Sequence, residues 1–235
     1  MSEVVGRLAQ ALSPRGLDLV QPLSIDWYNR AVAEEYRVPH FGRPGRLGVV
    51  IGNTRALWPA LGRARAADAA LRAAADPVDQ YCADSITAVL RDELDDSDPW
   101  LAWFSPEPPP RRVAMQTLAH VAGLATRSRS MLSVHPVFGP WIALRALVVI
   151  DRPGPDGAAP ELPAPCACRD HCGPLFDAAC AALAGRPPGR ERIQGSWRTW
   201  LAVRDACPVG REHRYSDDQC RYHYTHERRY LPLVR

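Results

Sequence analysis

The first part of the chain alternates between helical and strand-like hydrophobic patterns. Four apolar residues share one face of a helix predicted over residues 2–13, namely Val4, Val5, Leu8 and Leu12. A second helix is predicted from Ser24, a favoured capping residue, to about Tyr36. The continuous apolar run RLGVVIGN, residues 46–53, is typical of a buried strand.

Helical patterns dominate the middle of the chain. We predict helices over residues 55–74 and 77–95, and the second is opened by Asp76 as a cap and Pro77 at the first helical position. The other predicted elements are a short strand over 99–104, a helix over 112–126, a loop over 133–140 and a strand over 141–151.

A proline-rich connection precedes a helical C-terminal part. Residues 152–165 (RPGPDGAAPELPAP) contain too many Pro and Gly residues for a regular element. Helices are predicted over 174–184, 191–206 and 216–224. Because strands are few and unevenly spaced, this order favours an α/β sandwich with a C-terminal helical extension over a doubly wound parallel sheet. We expect one domain with three parts: a core (1–151), a Pro/Cys-rich loop (152–172) and the extension (173–235).

Composition narrows the class of protein. The 235 residues are 46% hydrophobic and 23% charged, which is ordinary for a globular chain. All 29 basic residues are Arg, spread along the chain, and the net charge is only +3. A nucleic-acid binder should cluster its charge on one face, so we expect none. The N-terminus lacks a secretory signal pattern and the longest apolar run is too short to span a bilayer, so we expect a cytoplasmic protein that binds no membrane.

One predicted helix face combines a histidine with small residues. Gln116, His120 and Gly123 are spaced four and three residues apart, which places them on one side of a helix. Small neighbours at 119, 122 and 123 would let a large flat ligand approach the backbone. The alternative is a buried structural histidine with one hydrogen bond.

Two arginines lie in apolar surroundings. Arg145 interrupts an apolar strand, where a charge needs a partner, and this partner is either the carboxylate of a ligand or an internal Asp or Glu. Arg204 shares a helical face with Trp197 and Trp200, which is either a binding face or an ordinary packed aromatic face.

Six short stretches occur in one order along the chain. They are DPVDQ at 76–80, QT with AHVAG at 116–123, HP with FG and W at 135–141, WR with W at 197–200, RDA at 204–206 and RYS at 214–216. Together they resemble the CblC-type (MMACHC) family of cyanocobalamin reductases and alkylcobalamin dealkylases. The resemblance extends from about residue 13 to about residue 230.

The resemblance implies a modified flavin-nitroreductase-like α+β fold and an enzyme that binds cobalamin with its lower base displaced. Such an enzyme removes cyanide with electrons from reduced flavin, or transfers an alkyl group to glutathione. Carried over position by position, the cobalamin-binding residues are Val113, Ala114, Met115, Gln116, His120, Ser133 and Leu144. The residues implied for the carboxylates of the thiol are Arg145, Arg204 and Arg229.

The chain departs from the family pattern just after the histidine helix. Arg127, Ser128 and Arg129 stand where a family member carries Tyr-Tyr-Gln, which touches the ligand or flavin. The sequence therefore leaves the use of FMN or FAD open.

Four of the seven cysteines lie close together, at Cys166, Cys168, Cys172 and Cys180, with His171 among them. Their spacing is neither that of a zinc ribbon nor that of a ferredoxin, although four thiols and a histidine suffice for a tetrahedral zinc site. A metal or iron–sulfur cluster, redox-active thiols and inert thiols all stay open.

The function predicted from the sequence is removal of the upper axial ligand of cobalamin, by reductive decyanation, by glutathione-dependent dealkylation, or by both. One alternative is a non-catalytic cobalamin carrier or chaperone. Another is a metal- or iron–sulfur-bearing corrinoid reductase that acts on another substrate. The expected partners are cobalamin and a small thiol, with a downstream cobalamin-receiving protein and a second copy of the chain as further candidates.

Overall fold

A twisted antiparallel sheet lies at the centre of the protein. The computed structural model describes residues 3–105, 107–108, 111–161, 170–187 and 189–232. The strands in these ranges are Leu19–Ser24 (β1), Arg46–Asn53 (β2), Trp100–Phe104 (β3), Thr126–Arg127 (β4), Ser133–Val134 (β5) and Ala143–Pro153 (β6). Four of them form the main sheet in the order β1-β2-β6-β3, while β4 and β5 form a separate small hairpin.

Helices cover both faces of the main sheet. The α-helices of the described ranges are Glu3–Leu12 (α1), Ile25–Ala31 (α2), Leu57–Ala67 (α3), Ala69–Ala73 (α4), Pro77–Glu93 (α5), Met115–Val121 (α6), Cys172–Ala181 (α7), Arg190–Gly195 (α8), Trp197–Asp205 (α9) and Asp217–Thr225 (α10). Side chains of β2 and β6 alternate between two cores, because successive residues of a strand point to opposite faces. Val49 and Val148 pack with α1, α3 and α5, whereas Val50 and Val149 pack with α2 and α6. The predicted α/β sandwich with C-terminal helices is confirmed.

The element predictions are confirmed where caps and hydrophobic runs agree. The strand over 46–53 has the predicted bounds, and Asp76 accepts a hydrogen bond from the amide of Asp79 at the start of α5. The predicted cap at Ser216 also forms, since its hydroxyl accepts from the amide of Gln219.

Four element predictions are wrong in extent. The helix predicted over 55–74 is divided at Asp68 into α3 and α4, because the Asp68 side chain caps the start of the second helix. The helix from Ser24 ends at Ala31, and a separate 3₁₀ turn covers Glu34–Tyr36. The helix predicted over 112–126 is only Met115–Val121, because Gly123 adopts a φ of +73° and turns the chain. The helix predicted over 191–206 is divided at Ser196 into α8 and α9.

Strand β1 was not predicted. It lies at the edge of the sheet and pairs with β2, with Pro22 opposite Val49. Edge strands tolerate proline because one row of amides is unpaired there.

A β-bulge in β6 places Arg145. Ile51 of β2 pairs with Ala146, and the next residue, Gly52, pairs with Leu144, so Arg145 is the extra residue between them. A bulge re-aims the side chain of the extra residue. Here it lets an arginine leave an otherwise apolar strand towards α5.

The C-terminal helices pack on each other and on the sheet. Cys172 and Ala179 of α7 pack against Val203 of α9. Tyr222 of α10 belongs to the core under α1 and α5. The division into core, loop and extension stays a prediction. In the described ranges, every helix is too short or too polar to span a bilayer.

Candidate functional site

Three cavities adjoin one another along one end of the sheet. The first, here called the His120 cleft, has a volume of about 420 Å³, and Gln116 belongs both to it and to a second cavity of about 290 Å³, the central groove. Ser105 belongs both to the central groove and to a third cavity of about 220 Å³, the Arg145 pocket. The central groove therefore shares one wall residue with each of the other two cavities, and the His120 cleft alone has a volume in the usual range of ligand sites.

The His120 cleft lies between α2, α6 and the β4–β5 hairpin. Its lining residues are Ala31, Gln116, Thr117, His120, Val121, Thr126 and Arg127. His120 is exposed, so the alternative of a buried structural histidine is wrong.

The central groove contains four of the residues predicted to bind cobalamin. They are Met115, Gln116, Ser133 and Leu144. Gln116 donates from its side-chain amide to the carbonyl of Met131, which fixes the tip of the β4–β5 hairpin over α6. The hairpin is therefore part of the wall of both the groove and the cleft.

Two further residues predicted to bind cobalamin do not line the groove but lie next to it, at the start of α6. Val113 is buried in the core between α2 and α6. The amide of Ala114 donates a hydrogen bond to the hydroxyl of Tyr28 at 2.9 Å. Both residues fix the start of α6 relative to α2, and through it the positions of Met115 and Gln116.

Arg145 has internal partners and one donor to spare. Its Nε donates to Oδ1 of Asn53 at 2.7 Å, and its Nη1 pairs with Oδ1 of Asp79 at 3.1 Å. Its third nitrogen, Nη2, is buried and has no hydrogen-bond partner among the described residues, while the side chain as a whole is only 10% exposed. The alternative of an internal carboxylate is confirmed, yet a donor remains for a ligand.

His223 of α10 lines the same pocket. Its Nε2 is also buried without a hydrogen-bond partner in the described residues. Burial lowers the pKa of His223 well below 6.5, and the nearby charges of Arg145 and Arg204 lower it further. The ring is therefore neutral at physiological pH and can offer one N–H or one lone pair to a ligand.

Arg204 is buried at the other side of the groove. Its Nε donates to the carbonyl of Pro140 at 3.0 Å, its Nη2 donates to that carbonyl and to the carbonyl of Ile142, and the guanidinium stacks on Trp141 and Tyr215. No carboxylate of the described residues lies within ion-pair distance of Arg204. The cation lines the central groove and can attract a negative group there.

A tight turn just before Pro140 places the carbonyl of Pro140 next to the guanidinium of Arg204. Nδ1 of His135 accepts hydrogen bonds from the amides of Val137 and Phe138, and Gly139 has a φ of +57°. A Cβ at Gly139 would collide with the carbonyl oxygen of Val209, so only glycine fits.

The structure does not bring the third predicted arginine to these cavities. The side chain of Arg229 is 68% exposed and pairs with Glu227 at 2.6 Å. It also stacks on Tyr230. Its predicted role beside Arg145 and Arg204 has no geometric support.

Sequence reasoning missed Ser105, Tyr222 and His223. Ser105 follows β3 and donates its amide to the carbonyl of Arg145 at 2.8 Å. Burial raises the pKa of Tyr222 to about 12, so this residue stays protonated in the Arg145 pocket. The adjacent Tyr222 and His223 in α10 are the only local signal for this part of the site, and nothing in the sequence around them indicates that α10 packs near β6.

The cysteines give no support to a metal site in the described residues. Cys172 begins α7 and is buried against Val203, and Cys180 is partly buried. Cys166 and Cys168 lie outside the described residues. Among the described His, Cys, Asp and Glu residues, no group of three is placed to hold a metal ion.

Comparison with known proteins gives matches along the whole chain. No protein-family model matches it. The human protein named cyanocobalamin reductase / alkylcobalamin dealkylase is 28% identical over 251 aligned positions, which cover 100% of this chain and 82% of that protein. The cattle (Bos taurus) protein of the same name is 26% identical with the same coverage, and the zebrafish (Danio rerio) protein is 25% identical over 96% of this chain.

Solved structures agree on the fold. A Caenorhabditis elegans B12-trafficking protein CblC superposes with a TM-score of 0.64 and 18% identity, covering 97% of this chain and 94% of that chain. An epoxyqueuosine reductase superposes with a TM-score of 0.51 and 15% identity, over 89% of this chain and 66% of that chain. Both have the nitroreductase-like fold that the sequence resemblance implied. The chain is thus similar along its whole length to proteins named cyanocobalamin reductase / alkylcobalamin dealkylase, and it shares its fold with a CblC protein, in agreement with the resemblance drawn from the sequence.

Proposed function

We propose that this protein binds cobalamin with the lower base displaced and removes its upper axial ligand. The observation that carries the proposal is the match over the whole chain to curated proteins named for both decyanation and dealkylation. The adjoining cavities support it, because the central groove and the His120 cleft contain five of the seven residues predicted to bind cobalamin.

In decyanation, the cobalt of cyanocobalamin takes up one or two electrons and cyanide leaves as an anion with the electron pair of the Co–C bond. Reduced flavin or another soluble donor is the co-reactant. Displacing the lower base removes axial electron donation to cobalt, which makes reduction easier. The protein contributes binding, orientation and exclusion of water. Met115, Ile142 and Leu144 give the groove the apolar walls for this.

In dealkylation, a thiolate attacks the cobalt-bound carbon in line with the Co–C bond. A thioether forms, and the two electrons of the Co–C bond stay on cobalt, giving cob(I)alamin, while the proton of the thiol passes to solvent. The rate of such a step depends on holding the sulfur in line with the carbon. We propose that Nη2 of Arg145 and the guanidinium of Arg204 hold carboxylates of a glutathione-like thiol, on either side of Ser105.

Anaerobic titration of the purified protein with cyanocobalamin, followed by ultraviolet–visible spectroscopy, tests the proposal. We expect the corrin band to move to shorter wavelength, as the lower base leaves cobalt. A spectrum that stays base-on at saturating protein would refute this mode of binding.

Addition of reduced flavin to the cyanocobalamin complex, or of glutathione to the methylcobalamin complex, then tests catalysis. We expect the spectrum of a reduced cobalamin together with free cyanide or S-methylglutathione. Binding with no turnover in either reaction would favour the carrier function over the enzyme.

A further inference from the structure

The His120 cleft differs in the charge of its lining residues from the Arg145 pocket. Its only charged lining residue among those described is Arg127, and no carboxylate lines it. The Arg145 pocket, in contrast, contains Asp76 and Asp79 beside its arginine. The cleft is therefore suited to a negative group, whereas the pocket has its own counter-charges.

Arg127 differs from its neighbour in the same hairpin. Arg129 pairs with Asp177 at 2.6 Å, and both side chains are more than half exposed. Arg127 is also exposed but forms no ion pair or hydrogen bond through its side chain with another described residue. A cation that lines a cavity without an internal partner is available to a ligand.

Neutral donors surround Arg127 in the cleft. The hydroxyl of Thr126 is buried and has no hydrogen-bond partner among the described residues. Thr117 and the exposed ring of His120 complete a polar lining. The hairpin that carries Thr126 and Arg127 is fixed to α6 by the bond from Gln116 to Met131, so these groups are held in place before a ligand binds.

We propose that the His120 cleft is a binding site for a phosphate ester, and that Arg127 contacts it. This inference rests on the proposed function, because the corrinoid itself supplies such a group. The nucleotide loop of cobalamin carries a phosphodiester, which is its one anionic group, whereas the amide side chains of the corrin ring are neutral. With the corrin in the central groove and the base displaced, the loop reaches the adjoining cleft across Gln116.

Affinities for cobalamin and cobinamide test this proposal directly, because cobinamide lacks the nucleotide loop and its phosphodiester. We compare the unaltered protein with Arg127→Gln, and use Arg129→Gln as the matched control from the same hairpin. Arg127→Gln is expected to weaken cobalamin binding on the order of tenfold at low salt, with less effect at high salt, since exposed ion pairs are screened. Cobinamide affinity should be unchanged in Arg127→Gln, and Arg129→Gln should leave both affinities unchanged.

Flavin mononucleotide is the other source of a phosphate ester. A parallel titration with FMN separates the two sources, because a loss of FMN affinity alone would assign the same site to the flavin phosphate. Equal changes for cobalamin and cobinamide, with no change for FMN, would overturn the phosphate site and leave the proposed function intact. If the unaltered protein bound neither corrinoid, the proposed function and this inference would both fail.

Discussion

Arg145 is expected to serve stability and thiol binding at once, and the two roles can be separated. Arg145→Lys keeps the positive charge but cannot reach Asn53 and Asp79 together. Loss of one bond to the fully buried Asn53 costs about 1–2 kcal/mol. The pair with Asp79 contributes no more than about 0.5–1 kcal/mol, because Asp79 is 32% exposed.

These terms give a destabilisation of about 2 kcal/mol, which lowers Tm by roughly 4–8 °C in a chain of this size. The second expected effect is on the thiol. If Nη2 of Arg145 holds a carboxylate, the replacement raises the glutathione concentration needed for half-maximal dealkylation roughly ten- to a hundredfold. Cobalamin affinity should change little, since the corrin lies in the central groove. The assays are calorimetry and initial rates of anaerobic methylcobalamin dealkylation at varied glutathione.

Asp79→Asn is the matched control. It removes the ion pair and so lowers Tm by a few degrees, but it leaves the guanidinium in the pocket and removes a negative charge from the wall. Glutathione affinity should therefore be kept or strengthened. If Arg145→Lys lowered Tm and left the glutathione dependence unchanged, the arginine would be structural only, and the case for a glutathione-dependent dealkylase would lose its main support.

Four further predictions follow from the described contacts. Arg204→Lys keeps the charge but loses the hydrogen bonds from the guanidinium to the carbonyls of Pro140 and Ile142. Calorimetry should show a Tm lower by roughly 4–12 °C, corresponding to about 2–3 kcal/mol, and an unchanged Tm would contradict these buried hydrogen bonds. Gly139→Ala should lower Tm by more than about 10 °C or prevent soluble expression, whereas Gly6→Ala in α1, whose added Cβ meets no atom, should raise Tm by a few degrees. Burial lowers the pKa of His223, so below about pH 6.5 the unfolded chain takes up a proton that the folded chain does not. The contribution of His223 to the free energy of unfolding is therefore complete above that pH and falls by up to about 1.4 kcal/mol per pH unit below it. In urea denaturation between pH 5 and 7, the free energy of unfolding of His223→Phe should depend less on pH than that of the unaltered protein. His120→Ala should weaken corrinoid binding in the spectral titration with no change in Tm, since this ring is exposed; a matching loss of Tm would indicate a structural role.

Local signals in the sequence were sufficient for most elements. The cap at Asp76 and the apolar run of β2 correctly predicted their elements because neighbouring residues alone determine them. Strand β1 was missed because Pro22 and Ser24 argue against a strand. Ser24 was predicted as a helix cap, yet its side chain forms no capping hydrogen bond, and the residue is the last one of a strand that pairs at the edge of the sheet.

Only those features of the site that depend on residues close together in the sequence could be predicted. A charge in an apolar strand needs a partner, so the sequence predicted either a ligand carboxylate or an internal Asp or Glu for Arg145, and the structure identifies the internal partner as Asp79. The bulge that turns Arg145 out of the strand depends on the register with β2, which the sequence of β6 does not contain. His223 reaches the same pocket through the packing of α10, about eighty residues later in the chain, and no periodicity in either segment indicates that contact.

Among the residues that the structure describes, Ser105 is the one that lines both the central groove and the Arg145 pocket. A corrinoid in the groove therefore leaves the rest of the pocket uncovered, and a thiol held by Arg145 and Arg204 enters the groove only at its Arg204 end. In kinetic terms, neither reactant has to load first. Initial-rate patterns for dealkylation should then be those of random addition to a ternary complex, with product inhibition by the thioether competitive against the thiol.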